Sequence, residues 1–180
     1  GWGSVVPSGL WAGRTGATKG LGVGLGSVVP SGWWAGRTRA TKVGWVSATD
    51  GLLVMDRNHD GLINDGRELF GSATLTADGT RAGHGYAAMA LEDGNHDGKL
   101  NAADASFGDL RLWIDADQDG QTDAGELKTL AEAGVAELDL NAMAGTTFDH
   151  GNLLGLVSGF TATDGTTHAM ADVWFARDRS

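Results

Sequence analysis

Three hexapeptides in this chain follow the pattern Asp-x-Asn/Asp-x-Asp-Gly, at residues 56–61, 93–98 and 115–120. In an EF-hand-type calcium loop, positions 1, 3 and 5 point side-chain oxygens at one centre, and a glycine at position 6 makes the sharp turn. A random chain of this composition would contain roughly 0.04 such hexapeptides, so three are not a coincidence of composition. The pattern therefore predicts calcium binding, and it constrains the fold to one whose elements are joined by metal loops.

The third loop contains an oxygen ligand at every expected position. By position, the predicted ligands are Asp115, Asp117, Asp119, the carbonyl of Gln121, Asp123 and Glu126. Glu126 falls at position 12, where EF-hand loops carry a bidentate acid. Asp123 can also cap a following helix, with Glu126 three residues later at the capping-box spacing. We therefore predict a complete calcium site that also starts a helix.

The second loop closes with an aspartate instead of a glutamate. Its predicted ligands are Asp93, Asn95, Asp97, the carbonyl of Lys99, Asn101 and Asp104. The Asp104 side chain is shorter than a glutamate, and the two neutral asparagines reduce the charge of the site. We predict calcium binding of lower affinity in this loop.

The first loop departs furthest from the pattern, because Arg67 occupies position 12 and Glu68 follows it. Its predicted ligands are Asp56, Asn58, Asp60, the carbonyl of Leu62, Asn64 and Glu68. The spacing from Asp65 to Glu68 repeats that from Asp123 to Glu126, which indicates one extra residue before the next helix. We favour a calcium loop; the alternative is a turn whose Asp and Asn side chains only cap backbone groups.

Charge is distributed unevenly along this chain of 180 residues, whose formal net charge is −10. Residues 1–43 contain five basic residues and no acid, whereas all 23 acidic residues lie in 44–180 with the other eight basic ones. Such an acidic excess argues against nucleic acid as a partner and suits a domain that needs cations to fold. The chain has no cysteine for disulfides or thiolate sites, and no apolar run of 18 residues that could span a membrane.

The first 43 residues contain a duplication, in which residues 1–19 return with small changes at 24–42. Two copies are too few for a solenoid, and neither helical nor strand periodicity persists. We expect this segment to be poorly ordered or a non-native extension; the alternative is a binding arm bearing Trp and Arg. Residues 44–180 form the predicted calcium-binding module. Because the chain opens with Gly1 and no leader peptide, we interpret it as part of a longer protein.

Apolar patterns after residue 44 predict an α+β fold, a compact module of short strands and helices joined by EF-hand-like calcium loops. The predicted strands cover 45–46, 52–55, 110–114, 135–140, 153–162 and 168–175, and the predicted helices cover 86–91 and 126–133. The last two strands flank Thr163-Asp164-Gly165, a sequence typical of a hairpin turn.

No residue of the sequence carries a recognisable catalytic pattern. The chain lacks Gly-x-Ser-x-Gly, P-loop and His-Glu-x-x-His motifs, and its five histidines have no metal-ligand spacing. His59 and His96 fall at loop position 4, which faces outward in an EF-hand-type loop. The sequence therefore contains no motif that indicates an enzyme or a histidine metal site.

Several stretches, taken together, match one known family, at 44–56, 64–71, 84–88, 112–115, 126–127 and 163–167. Over about residues 44–177 the chain resembles the self-processing module of FrpC-like RTX proteins, which are secreted bacterial toxins and adhesins. The resemblance implies an α/β module with EF-hand-like calcium sites inside a large exported protein. It also implies that calcium triggers scission of an Asp-Pro bond at the module's N-terminal edge. The new Asp end, activated as an anhydride, can then join a lysine amine.

The chain departs from that family at the scissile bond. Its only prolines follow valines, at Val6-Pro7 and Val29-Pro30, so the chain has no Asp-Pro bond. We therefore predict a calcium-dependent folding or binding module with two or three Ca²⁺, belonging to a larger secreted bacterial protein. Extracellular loops of this type bind calcium at about 10⁻⁴–10⁻³ M. One alternative is a self-processing module whose scissile bond lies outside this chain, and another is a dockerin- or adhesin-like interaction module with an unknown protein partner.

Overall fold

Antiparallel β-strands make up almost all of the regular structure in the part of this protein that the structure describes. The computed structural model describes residues 9–13, 51–64, 67–71, 74–117, 120–149 and 152–174. In these residues the regular elements are nine strands, one five-residue α-helix and one 3₁₀ turn. The prediction of an α+β fold is therefore wrong, because the described part of the chain is nearly all β.

The strands are β1 (Gly9–Gly13), β2 (Leu52–Met55), β3 (Lys99–Asn101), β4 (Leu110–Trp113), β5 (Leu127–Thr129), β6 (Val135–Asp139), β7 (Met143–Asp149), β8 (Asn152–Ala162) and β9 (Thr167–Trp174). The helix is α1 (Gly85–Met89), and the 3₁₀ turn covers Phe107–Asp109. The strands predicted at 52–55, 110–114, 135–140, 153–162 and 168–175 are confirmed to within about one residue at each end. The strand predicted at 45–46 lies outside the described residues.

Neighbouring strands of the sheet pair in the antiparallel sense. Their order is β3-β6-β8-β9-β1-β2-β4-β5, with β7 attached to β8 outside this path. The predicted hairpin turn closes β8 and β9, and in it Gly165 has a φ of +85° and donates its N–H to the carbonyl of Ala162. Glycine reaches a positive φ without strain, which explains its place in this turn.

Strand β1 joins the two halves of the sheet. It pairs with β9 from Gly9 opposite Val173 to Gly13 opposite Ala169, and it also pairs with β2. β1 belongs to the first copy of the duplicated segment, of which the structure describes only Gly9–Gly13. The predicted boundary between residues 43 and 44 lies outside the described residues and stays a prediction.

The helix predicted at 126–133 is wrong, because strand β5 takes its place. Leu127 lies opposite Trp113 of β4, and the N–H of Ile114 donates to the carbonyl of Glu126 at 2.9 Å. An isolated helix of about eight residues is marginal in water, so local capping contributes little by itself. Strand pairing with β4 is therefore more favourable at these residues than the helix that the capping pattern predicted.

The helix expected after the first loop is likewise absent from the residues described there. Leu69 forms a β-bridge with Val54, and the N–H of Met55 donates to the carbonyl of Glu68 at 2.8 Å. Residues 65–66 lie outside the described part of the chain. After both the first and the third loop, then, the chain pairs with the sheet directly beyond its closing acid.

Helix α1 confirms the helix predicted at 86–91, although it begins and ends earlier. His84 caps its start, because Nδ1 accepts the N–H of Ala87 at 3.1 Å. Tyr86 ties the helix to the sheet: its hydroxyl lies 2.8 Å from Ser158 Oγ and donates to the carbonyl of Met170 at 3.0 Å. Burial raises the pKa of Tyr86, so this hydroxyl stays protonated.

The apolar core reaches the ends of two of the loops that carry the Asp/Gly pattern. Met55 and Phe70 flank the first loop, Trp113 and Leu130 flank the third, and all four side chains are buried. Close packing holds such side chains in defined positions, so the chain enters and leaves both loops at fixed points. In the part of the chain that the structure describes, no helix is long and apolar enough to cross a membrane.

Candidate metal sites

In all three loops, the glycine at position 6 donates its N–H to the carboxylate at position 1. The bonds run from Gly61 to Asp56 (2.8 Å), from Gly98 to Asp93 (3.0 Å) and from Gly120 to Asp115 (2.9 Å). The three glycines have φ values of +83°, +81° and +72°, in the left-handed region that a side chain disfavours. The same turn is therefore built three times, with the backbone folded back over the first predicted ligand.

The closing acid of each loop accepts the N–H of the residue at position 9. The bonds run from Asn64 to Glu68 (2.9 Å), from Asn101 to Asp104 (3.1 Å) and from Asp123 to Glu126 (3.0 Å). In the first loop, Glu68 makes this contact although it stands one residue later than in the third loop. The extra residue therefore leaves the orientation of the acid toward the loop intact.

The third loop gathers carboxylates from its beginning, middle and end. One oxygen from each of Asp115, Asp117 and Glu126 lies within 4.8 Å of the others. Asp115 is fully buried and Glu126 is 7% exposed. Of the other predicted ligands, Asp123 and Gln121 are exposed, and Asp119 lies outside the described residues. Three oxygen donors of the predicted set are thus already close enough to share one cation.

The first loop gathers a similar group. One oxygen from each of Asp56, Asp60 and Glu68 lies within 4.8 Å of the others, and Glu68 is 2% exposed. The Asn64 amide donates to Asp60 at 2.8 Å and the Asn58 amide at 3.0 Å. Together with the N–H of Leu62, these donors hold the pKa of Asp60 below its ordinary value, the Asn64 bond contributing most. Asp60 therefore remains charged at neutral pH.

The second loop does not bring three carboxylates together in this way. Among the described residues, which include all of 93–104, the three-acid groups occur only in the first and third loops. Asp104 accepts the N–H of Gly94 at 3.0 Å and that of Asn101 at 3.1 Å. Backbone N–H groups from the first and the second half of the loop thus both donate to this short side chain. The predicted ligand set of the second loop stays a prediction.

Two contacts between loops were not predicted from the sequence. The N–H of Ile63 donates to Thr122 Oγ1 at 2.9 Å. The Thr122 hydroxyl in turn donates to the carbonyl of Ile63 at 3.3 Å. Arg57 of the first loop also forms an ion pair, at 2.9 Å, with Glu92, the residue just before the second loop. Ile63 and Thr122 both occupy loop position 8, a shared position that could have indicated their contact. Arg57 and Glu92 carried no comparable signal.

Comparison with known proteins places the chain in a family. The SPM domain family matches residues 34–176. The iron-regulated protein FrpA of Neisseria meningitidis serogroup C is 50% identical over 136 residues, which cover 75% of this chain and 12% of FrpA. The chain thus corresponds to a small part of that relative, as expected for one module of a larger polypeptide. On the family match and this identity, the chain belongs to the SPM domain family and is related to FrpA.

Proposed function

We propose that this chain is a calcium-dependent folding module of a larger secreted bacterial protein, with Ca²⁺ in the first and third loops and weaker binding in the second. The observation that carries the proposal is the gathering of three carboxylates in each of two loops, with the closing acids buried. The relation to FrpA supports the proposal that the chain is one module of a larger protein, because the chain spans only 12% of FrpA.

Electrostatics explains why these loops require a cation. Carboxylate oxygens that lie within 4.8 Å of one another repel, and the repulsion grows as the groups are shielded from water. Burial adds to that cost, because a charge removed from water needs compensation. A bound divalent cation reverses the sign of these interactions. Without metal, the clustered acids of both loops therefore oppose the compact state.

The donor set favours calcium over other common metals. Every predicted ligand is a carboxylate, amide or backbone oxygen, which suits hard cations, and there is no cysteine in the chain. Calcium accepts six to eight oxygens in flexible geometry, whereas magnesium requires a near-ideal octahedron. Loops with an inserted residue, or with Asp in place of Glu at the closing position, suit the more tolerant ion.

Calcium bound only by the folded chain adds about 2.7 kcal/mol of stability per site when free calcium is 100-fold above Kd. Two such sites would supply a large part of the roughly 5–15 kcal/mol that stabilises an ordinary domain. The proposed role is therefore structural: calcium outside the cell holds the module folded, and its scarcity inside leaves the module loose.

Calorimetric titration with calcium, combined with thermal melting in chelator, tests the proposal. We expect at least two Ca²⁺ per chain and a lower melting temperature in chelator. Glu126→Gln should weaken one site at least about tenfold, because it removes the negative charge at the closing position of the third loop. Glu132→Gln is the matched control, since Glu132 is exposed and accepts hydrogen bonds from Thr129 outside the loops. A stoichiometry below two, or an unchanged melting temperature in chelator, would contradict the proposal.

A second candidate function is calcium-triggered self-processing, which membership of the family favours. The chain contains no Asp-Pro bond, so a scissile bond would have to lie outside it. Placing an Asp-Pro dipeptide just upstream of Gly44 and adding millimolar calcium tests this candidate. Two fragments that form only with calcium would support it, and an intact chain would argue against it.

A further inference from the structure

One hydroxyl group connects the first and third loops. Thr122 Oγ1 accepts the N–H of Ile63 at 2.9 Å and donates to the carbonyl of the same residue at 3.3 Å, across 59 residues of sequence. We propose that Thr122 is a positioning residue that couples the two loops, so that calcium in one raises the calcium affinity of the other. This inference rests on the proposed function.

The two bonds involve both peptide planes of Ile63. The N–H of Ile63 shares a rigid peptide plane with the carbonyl of Leu62, the predicted position-7 ligand. The carbonyl of Ile63 shares the next plane with the N–H of Asn64, which donates to Glu68 at 2.9 Å. A single hydroxyl therefore orients the planes that carry one ligand of the first loop and the bond that holds its closing acid.

In the third loop, Thr122 makes the contact through its side chain and stands between two residues that matter for the site. Its neighbours in sequence are Gln121, whose carbonyl is a predicted ligand, and Asp123, whose N–H donates to Glu126 at 3.0 Å. Ordering the backbone at Thr122 thus orders the closing acid of the third loop. Ile63 is 2% exposed, so packing around it limits how far the contact can move. Calcium that orders one loop therefore reduces the conformational entropy that the other must lose on binding.

The second loop lacks such a link within the described residues and provides an internal reference. Its connection with the first loop is an ion pair between Arg57 and Glu92, the residue just before the second loop, and these side chains are 35% and 15% exposed. Ion pairs that are this accessible to water contribute little, typically about 0–1 kcal/mol. Coupling through Thr122 should therefore act between the first and third loops and largely spare the second.

The test monitors each loop separately by NMR during calcium titration of the full chain. The amides of Gly61, Gly98 and Gly120 donate to the first carboxylate of their own loops, so each reports its own site. We expect Glu126→Gln to raise the calcium midpoint at Gly61 about fivefold or more, in the range of ordinary coupling between sites. The midpoint at Gly98 should change much less.

The same experiment in a Thr122→Val background isolates the hydroxyl. There, Glu126→Gln should no longer shift the midpoint at Gly61, whereas Thr122→Ser, which keeps the hydroxyl, should restore the shift. Thr129→Val is the matched control, because it removes a hydroxyl that bonds Glu132 outside the loops and should leave the coupling intact.

Two outcomes separate this inference from the proposed function. Equal shifts at Gly61 and Gly98 would mean that the loops communicate only through folding of the whole domain, and would overturn the role of Thr122 while leaving calcium binding standing. A persistent shift at Gly61 in the Thr122→Val chain would overturn it as well. No calcium response at any of the three glycines would refute the proposed function, and the coupling with it.

Discussion

Glu126 accepts hydrogen bonds from three donors that lie on different sides of the third loop. They are the indole N–H of Trp113 at 3.2 Å, the N–H of Ala116 at 2.8 Å and the N–H of Asp123 at 3.0 Å. In the folded module these donors hold the carboxylate in one orientation, so less of its conformational entropy is lost on binding a metal. The sequence predicted the role of Glu126 and its bond with Asp123, but the indole donor is known only from the fold.

Asp78 offers a test of local electrostatics away from the loops. Its carboxylate accepts the hydroxyls of Thr76 and Thr80 and the N–H of Thr80, and these bonds lower its pKa to about 2. A lowered pKa stabilises the folded chain above the ordinary value of 3.8, and this contribution is lost as pH falls from there through about 2. In calcium-saturated protein, we therefore expect the NMR signal of the Asp78 carboxyl to stay unchanged down to pH 3.

Thr80→Val removes one hydroxyl donor and should raise the pKa of Asp78, so that its signal begins to move between pH 4 and pH 3. Asp164 is the internal control, because its bonds with Thr166 lower its pKa independently of Thr80. An unchanged titration of Asp78 in the variant would contradict the assigned cause.

Among the elements, helix α1 depends on tertiary contacts because it has only five residues. A helix this short is not stable alone, so its position is set by its contacts. The buried Tyr86 hydroxyl contacts Ser158 and the carbonyl of Met170, and Asp172 accepts the N–H of Gly85 at 3.1 Å. The hydrophobic pattern predicted a helix here, but these polar anchors come from strands β8 and β9.

Tyr86→Phe should lower the free energy of unfolding by about 1–3 kcal/mol, because it leaves the buried carbonyl of Met170 without this donor. Urea denaturation at saturating calcium measures the loss. Ser158→Ala completes a double-mutant cycle, since its hydroxyl lies 2.8 Å from that of Tyr86. The double variant should lose less than the sum of the two single losses. Strict additivity would show that the two hydroxyls act independently.

At the scale of the whole molecule, the sheet depends on a strand that lies far from the others in sequence. Strand β1 stands between β9 and β2, so the described sheet order is continuous only with Gly9–Gly13 in place. We further propose that residues 44–180 form a module that binds calcium without the duplicated segment, because both three-acid groups lie within it. The position of β1 predicts that removing residues 1–43 lowers the stability of the fold. The proposed module predicts that calcium binding survives the same truncation.

A chain of residues 44–180 should keep the calcium stoichiometry of the full chain but melt at a lower temperature, because the inner edges of β9 and β2 lose their pairing. A loss of about 1–2 kcal/mol lowers the melting temperature by roughly 2–8 °C in a domain of this size. Removing residues 1–8 alone keeps β1 and should lower the melting temperature less than removing residues 1–43. Loss of calcium binding in 44–180 would contradict the proposed module boundary.

Short-range chemistry accounts for the features that could be predicted. The repeated Asp and Gly positions determined the three loops, because a glycine with positive φ at position 6 and a carboxylate at position 1 form their bond within six residues. The apolar stretches that flank Thr163-Asp164-Gly165 likewise predicted β8, β9 and the turn between them. These features depend on neighbours in sequence, which the sequence displays directly.

Only the tertiary structure decided which element comes after each loop and which loops meet. Glu126 makes its predicted bond with Asp123, yet the next residues form β5 because β4 offers a ladder. Ile63 meets Thr122 because the sheet brings together two backbones 59 residues apart. Hydrogen bonds between distant segments depend on how the whole chain packs, and a local pattern cannot encode that distance. The sequence by itself therefore determined the loops, and the sheet determined their arrangement.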